Sequence, residues 1–162
     1  NNFNMKTFSN LLIITLMFAL SSCLTSGLED LPEFEYADIT GVQKVEYRYI
    51  SNEISTTDNQ PIVKYVNLPR VTKIDKETRT VTLEVTVPAA NASSFPESER
   101  IKVSTSELCV MVTISTAAKI TPLNGSPLLG VPGDWSKTNE YRVLAADGSV
   151  KDWKIQITKL TK

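Results

Sequence analysis

The sequence predicts an all-β fold, a β-sandwich with Greek-key connections, about eight strands and little helix. Three observations point there. Val81, Leu83, Val85 and Val87 alternate with Thr80, Thr82, Glu84 and Thr86, a period of two that gives a strand one dry and one wet face. Tyr141, Val143 and Ala145 alternate up to Asp147-Gly148, and Trp153, Ile155 and Ile157 alternate back down, which reads as a terminal hairpin. No long window repeats its apolar residues every 3.6 positions, so helix content is expected to be small.

Taken in order, the chain begins with a segment that is expected to be processed and not folded. Leu11 to Leu20 form an apolar run of ten residues. That is half the roughly 20 needed to cross a bilayer but suits the core of a secretory signal. Leu20-Ser21-Ser22-Cys23 then resembles a lipobox, the site at which a thiol takes a diacylglycerol and the bond before it is cut. Residues 1–22 are therefore read as a lipoprotein signal peptide and Cys23 as the lipidated N-terminus. A start at Met5, with Lys6 as the positive residue, fits this better than one at Asn1, so residues 1–4 are read as spurious. Residues 23–38 read as a tether: Glu29, Asp30, Glu33, Glu35 and Asp38 precede the next cation, Lys44, and Pro32 keeps the segment extended. A single sandwich domain is expected over 39–162.

Within that domain the first strand is read from Val45, Tyr47 and Tyr49 against Glu46 and Arg48, followed by a polar loop from Ser51 to Pro61. Ile62 to Leu68 gives a second strand, closed by Pro69. Val71 to Ile74 and the strand from Val81 are expected to pair through the turn Asp75-Lys76-Glu77-Thr78. Ala89 to Glu99, small and polar with Pro96 inside, reads as a loop or one helical turn. From Leu108 to Ile114 both alternating sets are apolar, which suggests a central strand buried on both faces and places Cys109 in packing. Ala117 to Gly133 reads as a turn-rich crossing.

Composition narrows the function. After removal of residues 1–22 the 17 basic side chains become 16, because only Lys6 is lost, against 18 acids. A net charge near −2 argues against nucleic acid as a partner, and none is expected. Histidine is absent, which removes the commonest general base and metal ligand. With no Ser-His-Asp set, no glycine-rich phosphate loop and no histidine for zinc, neither an enzyme nor a cofactor is expected.

The closing pattern Tyr141-Arg142-Val143-Leu144-Ala145-Ala146-Asp147-Gly148, with Trp153-Lys154-Ile155-Gln156-Ile157, resembles the last hairpin of immunoglobulin-like (cadherin-like) modules in Bacteroidetes cell-surface lipoproteins of unknown function. Ala117-Ala118-Lys119-Ile120-Thr121-Pro122 and Asp134-Trp135-Ser136 extend that resemblance to about Thr80–Lys159. It implies an immunoglobulin-like sandwich anchored in the outer membrane through Cys23 and facing the cell exterior. Such modules are often encoded beside glycan importers, so it also implies polysaccharide and outer-membrane transporter proteins as partners. The acids after Cys23 resemble the export signal of such lipoproteins.

The expected function is a non-enzymatic accessory binding protein for glycans in polysaccharide uptake. The alternative is a structural or adhesive module docking to another envelope protein. A glycan binder needs exposed aromatic faces to stack on sugar rings, which makes Trp135, Tyr36 and Tyr65 the ligand-binding candidates. Trp135 sits in a Gly-Asp-Trp-Ser loop, although the resemblance implies a core plug at this position, Trp153 shares the dry side of its strand with Ile155 and Ile157, and Tyr47 and Tyr49 share a face with Val45. Asp134, Glu140, Asp147 and Asp152 gather near the C-terminal loops, but without an Asp-x-Asp-x-Asp-Gly run they are not expected to hold calcium.

Overall fold

The structure, a computed structural model, describes residues 36–162. The signal peptide, Cys23 and the tether up to residue 35 lie outside the described residues. Eight strands follow in order: β1 Ile39–Ile54, β2 Pro61–Asn67, β3 Arg70–Asp75, β4 Thr80–Thr86, β5 Leu108–Ile114, β6 Lys119–Leu123, β7 Asn139–Leu144 and β8 Val150–Thr161. Among the described residues helix is limited to one turn, Glu97–Arg100, and a 3-10 turn, Thr105–Glu107. The strands form a three-stranded sheet in the order β2-β1-β5 and a five-stranded sheet in the order β3-β4-β8-β7-β6. One cluster of buried side chains draws on both sheets, so the fold is an all-β sandwich.

The strongest alternations carry the five-stranded sheet. Val81, Leu83 and Val85 of β4 are buried while Glu84 and Thr86 face out. β3 pairs with β4 across a turn in which the Asp75 carboxylate accepts from the Glu77 and Thr78 amides at 2.9 and 3.0 Å. β7 and β8 pair as the terminal hairpin. Its turn closes with the Gly148 amide donating to the Ala145 carbonyl at 3.1 Å, and Gly148 sits at φ +86°, where a side chain would be strained. β8 also pairs with β4, in parallel, which puts Trp153 and Ile155 at the centre of the sheet.

Four expectations change. β1 is far longer than Val45–Tyr49, because it is the middle strand of its sheet: β5 pairs with its first half and β2 with its second. Ser51 to Ile54, read as loop, continue the strand, and the turn shrinks to Ser55–Gln60, closed by the Ser55 amide on the Gln60 carbonyl at 2.8 Å. β5 is an edge strand and not a central one. Its outer edge is occupied by the crossing segment, whose Gly130 and Gly133 amides donate to the Val110 and Leu108 carbonyls at 2.8 and 3.1 Å. Gly133 has no room for a side chain there, since a Cβ would lie 2.3 Å from Pro127 Cβ. β6 forms where only a turn-rich crossing was expected, as an edge strand that tolerates Pro122.

Finally, the domain does not start at 39. Ala37 and Asp38 are already buried, with Asp38 held by the Ser115 hydroxyl on its amide at 3.1 Å and by Lys151 on its carboxylate at 2.8 Å. The last acid of the expected tether thus belongs to the fold.

Candidate functional site

Trp135 is not a ligand platform. Asp134 Oδ1 accepts from the Ser136 amide and hydroxyl at 2.9 and 2.6 Å, a local turn that directs the indole between the sheets. There it is 0% exposed, stacks on Tyr141 with ring centroids 6.1 Å apart, and donates its Nε1–H to the Leu108 carbonyl at 2.9 Å. Tyr141 in turn donates to the Pro127 carbonyl at 2.8 Å, and burial pushes its phenol well above the ordinary range. Trp153 is equally buried, as its alternation implied, with Nε1 on the Ala37 carbonyl at 3.0 Å.

The two tyrosines left unplaced by the sequence are both exposed, but they do not meet. Tyr36 lies just before β1 beside Asp38, Lys76 and Ser115, in a shallow depression. Tyr65 sits on β2 directly across from Arg48, nine residues along β1 from its start at Ile39, or about 30 Å. No joint platform forms from the pair.

Tyr65, 67% exposed, belongs to the outer face of the three-stranded sheet. Val45 and Tyr47 point into the core, so Lys44, Glu46, Arg48 and Ile50 point out. Register places Tyr65 beside Arg48, Val63 beside Ile50, Asn67 and Cys109 on either side of Glu46, and Met111 beside Lys44. Glu46 is nearly buried between its two cations, 3.5 Å from Lys44 Nζ and 3.3 Å from Arg48 Nη2. Cys109 is buried and free; its burial pushes the thiol up more than Arg48 pulls it down, which makes it a packing residue and a poor nucleophile. Ile50 and Val63 remain exposed next to Tyr65.

At the far end of β1 and β2 a cleft of about 160 Å³ opens against the loop around residues 92–99. Its polar groups largely satisfy one another. Tyr49 donates to the Ser94 carbonyl at 2.8 Å, Lys64 pairs with Glu53, and Tyr47 donates to Glu99 at 3.1 Å. Burial, helped by that bond to Glu99, pushes the Tyr47 phenol up to about 12. Asn52 and Ser98 line the same cleft.

The four C-terminal acids are engaged singly. Asp134 is tied to Ser136, Asp147 to the Ser149 amide at 2.8 Å, and Asp152 makes a two-pronged pair with Arg142 at 2.8 Å; each of these contacts holds its carboxyl below the usual range. Glu140 accepts from Asn124 at 2.6 Å. Among the described residues no group of three or more such side chains converges as a metal site would require.

What sequence reasoning passed over is the charged row on β1. Lys44-Val45-Glu46-Tyr47-Arg48 puts a charge at every second position, so all three share one face of one strand. That spacing was legible, whereas the neighbour across the strand was not.

The chain belongs to the DUF5018-related family, which it matches over residues 39–156. Among solved structures it is similar to a Bacteroides fragilis protein inferred to be secreted. The two share 43% identity, with 81% of this chain and 100% of that one covered at a TM-score of 0.72. No curated protein matches.

Proposed function

We propose that this chain is a non-enzymatic, surface-located binding module that takes glycan on the outer face of its three-stranded sheet. The observation that carries this reading is Tyr65, 67% exposed on that face, with Arg48 directly opposite it on β1. An exposed aromatic ring offers the apolar face of a sugar a stacking partner, and adjacent N–H donors fix its hydroxyls. A surface location is supported by the lipobox-like Leu20-Ser21-Ser22-Cys23 and by the description of the Bacteroides fragilis relative as secreted. Lipid on Cys23 and an outer-membrane transporter as partner complete the reading. The absence of histidine from the chain supports binding over catalysis.

A panel of polysaccharides run in affinity gels tests it. At least one polymer should retard the wild type, and Tyr65→Ala should weaken that retardation about tenfold, the effect of losing one stacked ring. Tyr36→Ala should leave it unchanged. Failure of every polymer to retard the wild type would remove the glycan.

A protein partner is the second reading, and the sheet edges favour it. β5 is covered by the crossing segment, β3 carries Arg70, Lys73 and Asp75, and β6 carries Lys119 and Pro122. β2 presents an edge whose outward residues, Val63 and Tyr65, are uncharged; Pro61 stands only at its first position, and its one cation, Lys64, is drawn to Glu53. Bare edges of this kind accept a further strand.

A further inference from the structure

The proposed glycan face holds more charge than a neutral sugar needs. Lys44 and Arg48 flank the buried carboxylate of Glu46, so the row carries two cations and one acid, while the whole chain is net −1. Only Glu46 of this trio is buried, while Lys44 and Arg48 stay 48% and 32% exposed, so the trio adds little to the stability of the sheet. Its effect is instead to fix the two cations on the surface. Arg48 reaches Glu46 through Nη2 alone, at 3.3 Å, and its side chain is 32% exposed. A guanidinium has five N–H donors in a planar fork that matches a carboxylate, so Arg48 keeps donors for a ligand. Across the strands stand the exposed ring of Tyr65 and the exposed amide of Asn67, and Lys44 lies one further position along the same face. Neighbouring strands are about 4.8 Å apart and alternate residues about 6.6 Å, so ring and fork stand side by side while the Asn67 amide lies about 8 Å from Arg48 on the diagonal, within reach of the next sugar along a polymer.

We infer that the glycan bound here is acidic, a polymer of carboxylate-bearing sugars whose carboxylate is received by Arg48 while Tyr65 stacks on the ring. Glu46 is the positioning residue that holds Arg48 and Lys44 in place. The inference rests on the glycan reading above and narrows its ligand.

The test compares polygalacturonate, alginate and hyaluronate with their carboxyl-reduced forms, which keep the backbone and lose the charge. For at least one pair, the acidic polymer should bind about tenfold more tightly than the reduced one, the contribution of one charge-assisted hydrogen-bonded pair. The preference should shrink as salt rises. Arg48→Gln should abolish the preference and leave the weak binding of the reduced form. Arg48→Lys, which preserves the ion pair with Glu46 and so guards the fold, should reduce the preference as well, because it loses the fork. Tyr65→Ala should weaken both forms equally. Equal binding of acidic and reduced polymers, or a preference that survives in Arg48→Gln, would overturn the acidic ligand while leaving glycan binding intact; binding of no polymer, acidic or neutral, would instead remove the reading on which it rests.

Discussion

Replacing Trp153 with alanine is expected to destabilise the domain by about 3 to 5 kcal/mol. The side chain is 0% exposed on β8, the strand that pairs with both β4 and β7, so the cavity left behind has rigid walls that cannot collapse onto it. Its Nε1–H also satisfies the Ala37 carbonyl at 3.0 Å, and that carbonyl would be left buried without a donor. Against a typical domain stability of about 5 to 15 kcal/mol, the loss is large. Urea unfolding followed by circular dichroism should show the midpoint falling with an unchanged slope. Trp153→Phe, which keeps an aromatic ring but loses the donor and part of the indole's volume, should cost roughly 1 to 3 kcal/mol. A loss below about 1 kcal/mol for the alanine variant would mean that the indole is not a core residue.

Trp135→Ala should cost a similar amount, about 3 to 5 kcal/mol, but with a second, local consequence. The Trp135 amide donates to the Thr105 carbonyl at 2.7 Å and its indole to the Leu108 carbonyl at 2.9 Å, so this residue pins the end of the crossing segment to the start of β5. Loss of the indole should let that segment lift from the β5 edge at a lower free energy than global unfolding. Cys109, buried on β5, reports the change. Its thiol should resist a water-soluble thiol reagent in the wild type under native conditions and react in Trp135→Ala. Equal protection in both proteins would show that the backbone bonds of residues 130, 133 and 135 hold the segment without the indole.

These two tryptophans also mark how far the sequence could be read. Trp153 was legible because it keeps phase with Ile155 and Ile157, and a period of two has one meaning in a half-buried strand. Trp135 was not, because a residue in a turn has no period; its burial follows from the Asp134–Ser136 hydrogen bonds and from Tyr141 lying under it, neither of which spacing records. The β3–β4 and β7–β8 hairpins were legible for the same reason as Trp153, with local turns to join them. Strand order was not: β1 gains its length from partners about 70 residues away on β5, and the parallel pairing of β4 with β8 joins segments equally distant. β5 looked central because both its faces are apolar, whereas the crossing segment covers what would otherwise be an open edge.

The candidate site divides in the same way. Ile62, Val63, Tyr65 and Val66 are all apolar enough that no alternation tells which pair faces water, so Tyr65 could be named but not placed. Pairing with β1 decides it, because Tyr47 and Val66 face inward together and Arg48 and Tyr65 outward. The charges at 44, 46 and 48 did specify a shared face; only the register shows that an aromatic ring lies beside them.

A backbone amide NMR titration with whichever polysaccharide retards the protein measures the use of this face most directly. Shifts should concentrate at Arg48, Tyr65 and Asn67 and their neighbours on β1 and β2, with little change at Tyr36 or in the Asp134–Ser136 turn. Shifts concentrated at that turn or around Tyr36, with β1 and β2 unmoved, would contradict the assignment of ligand binding to the outer face of the three-stranded sheet.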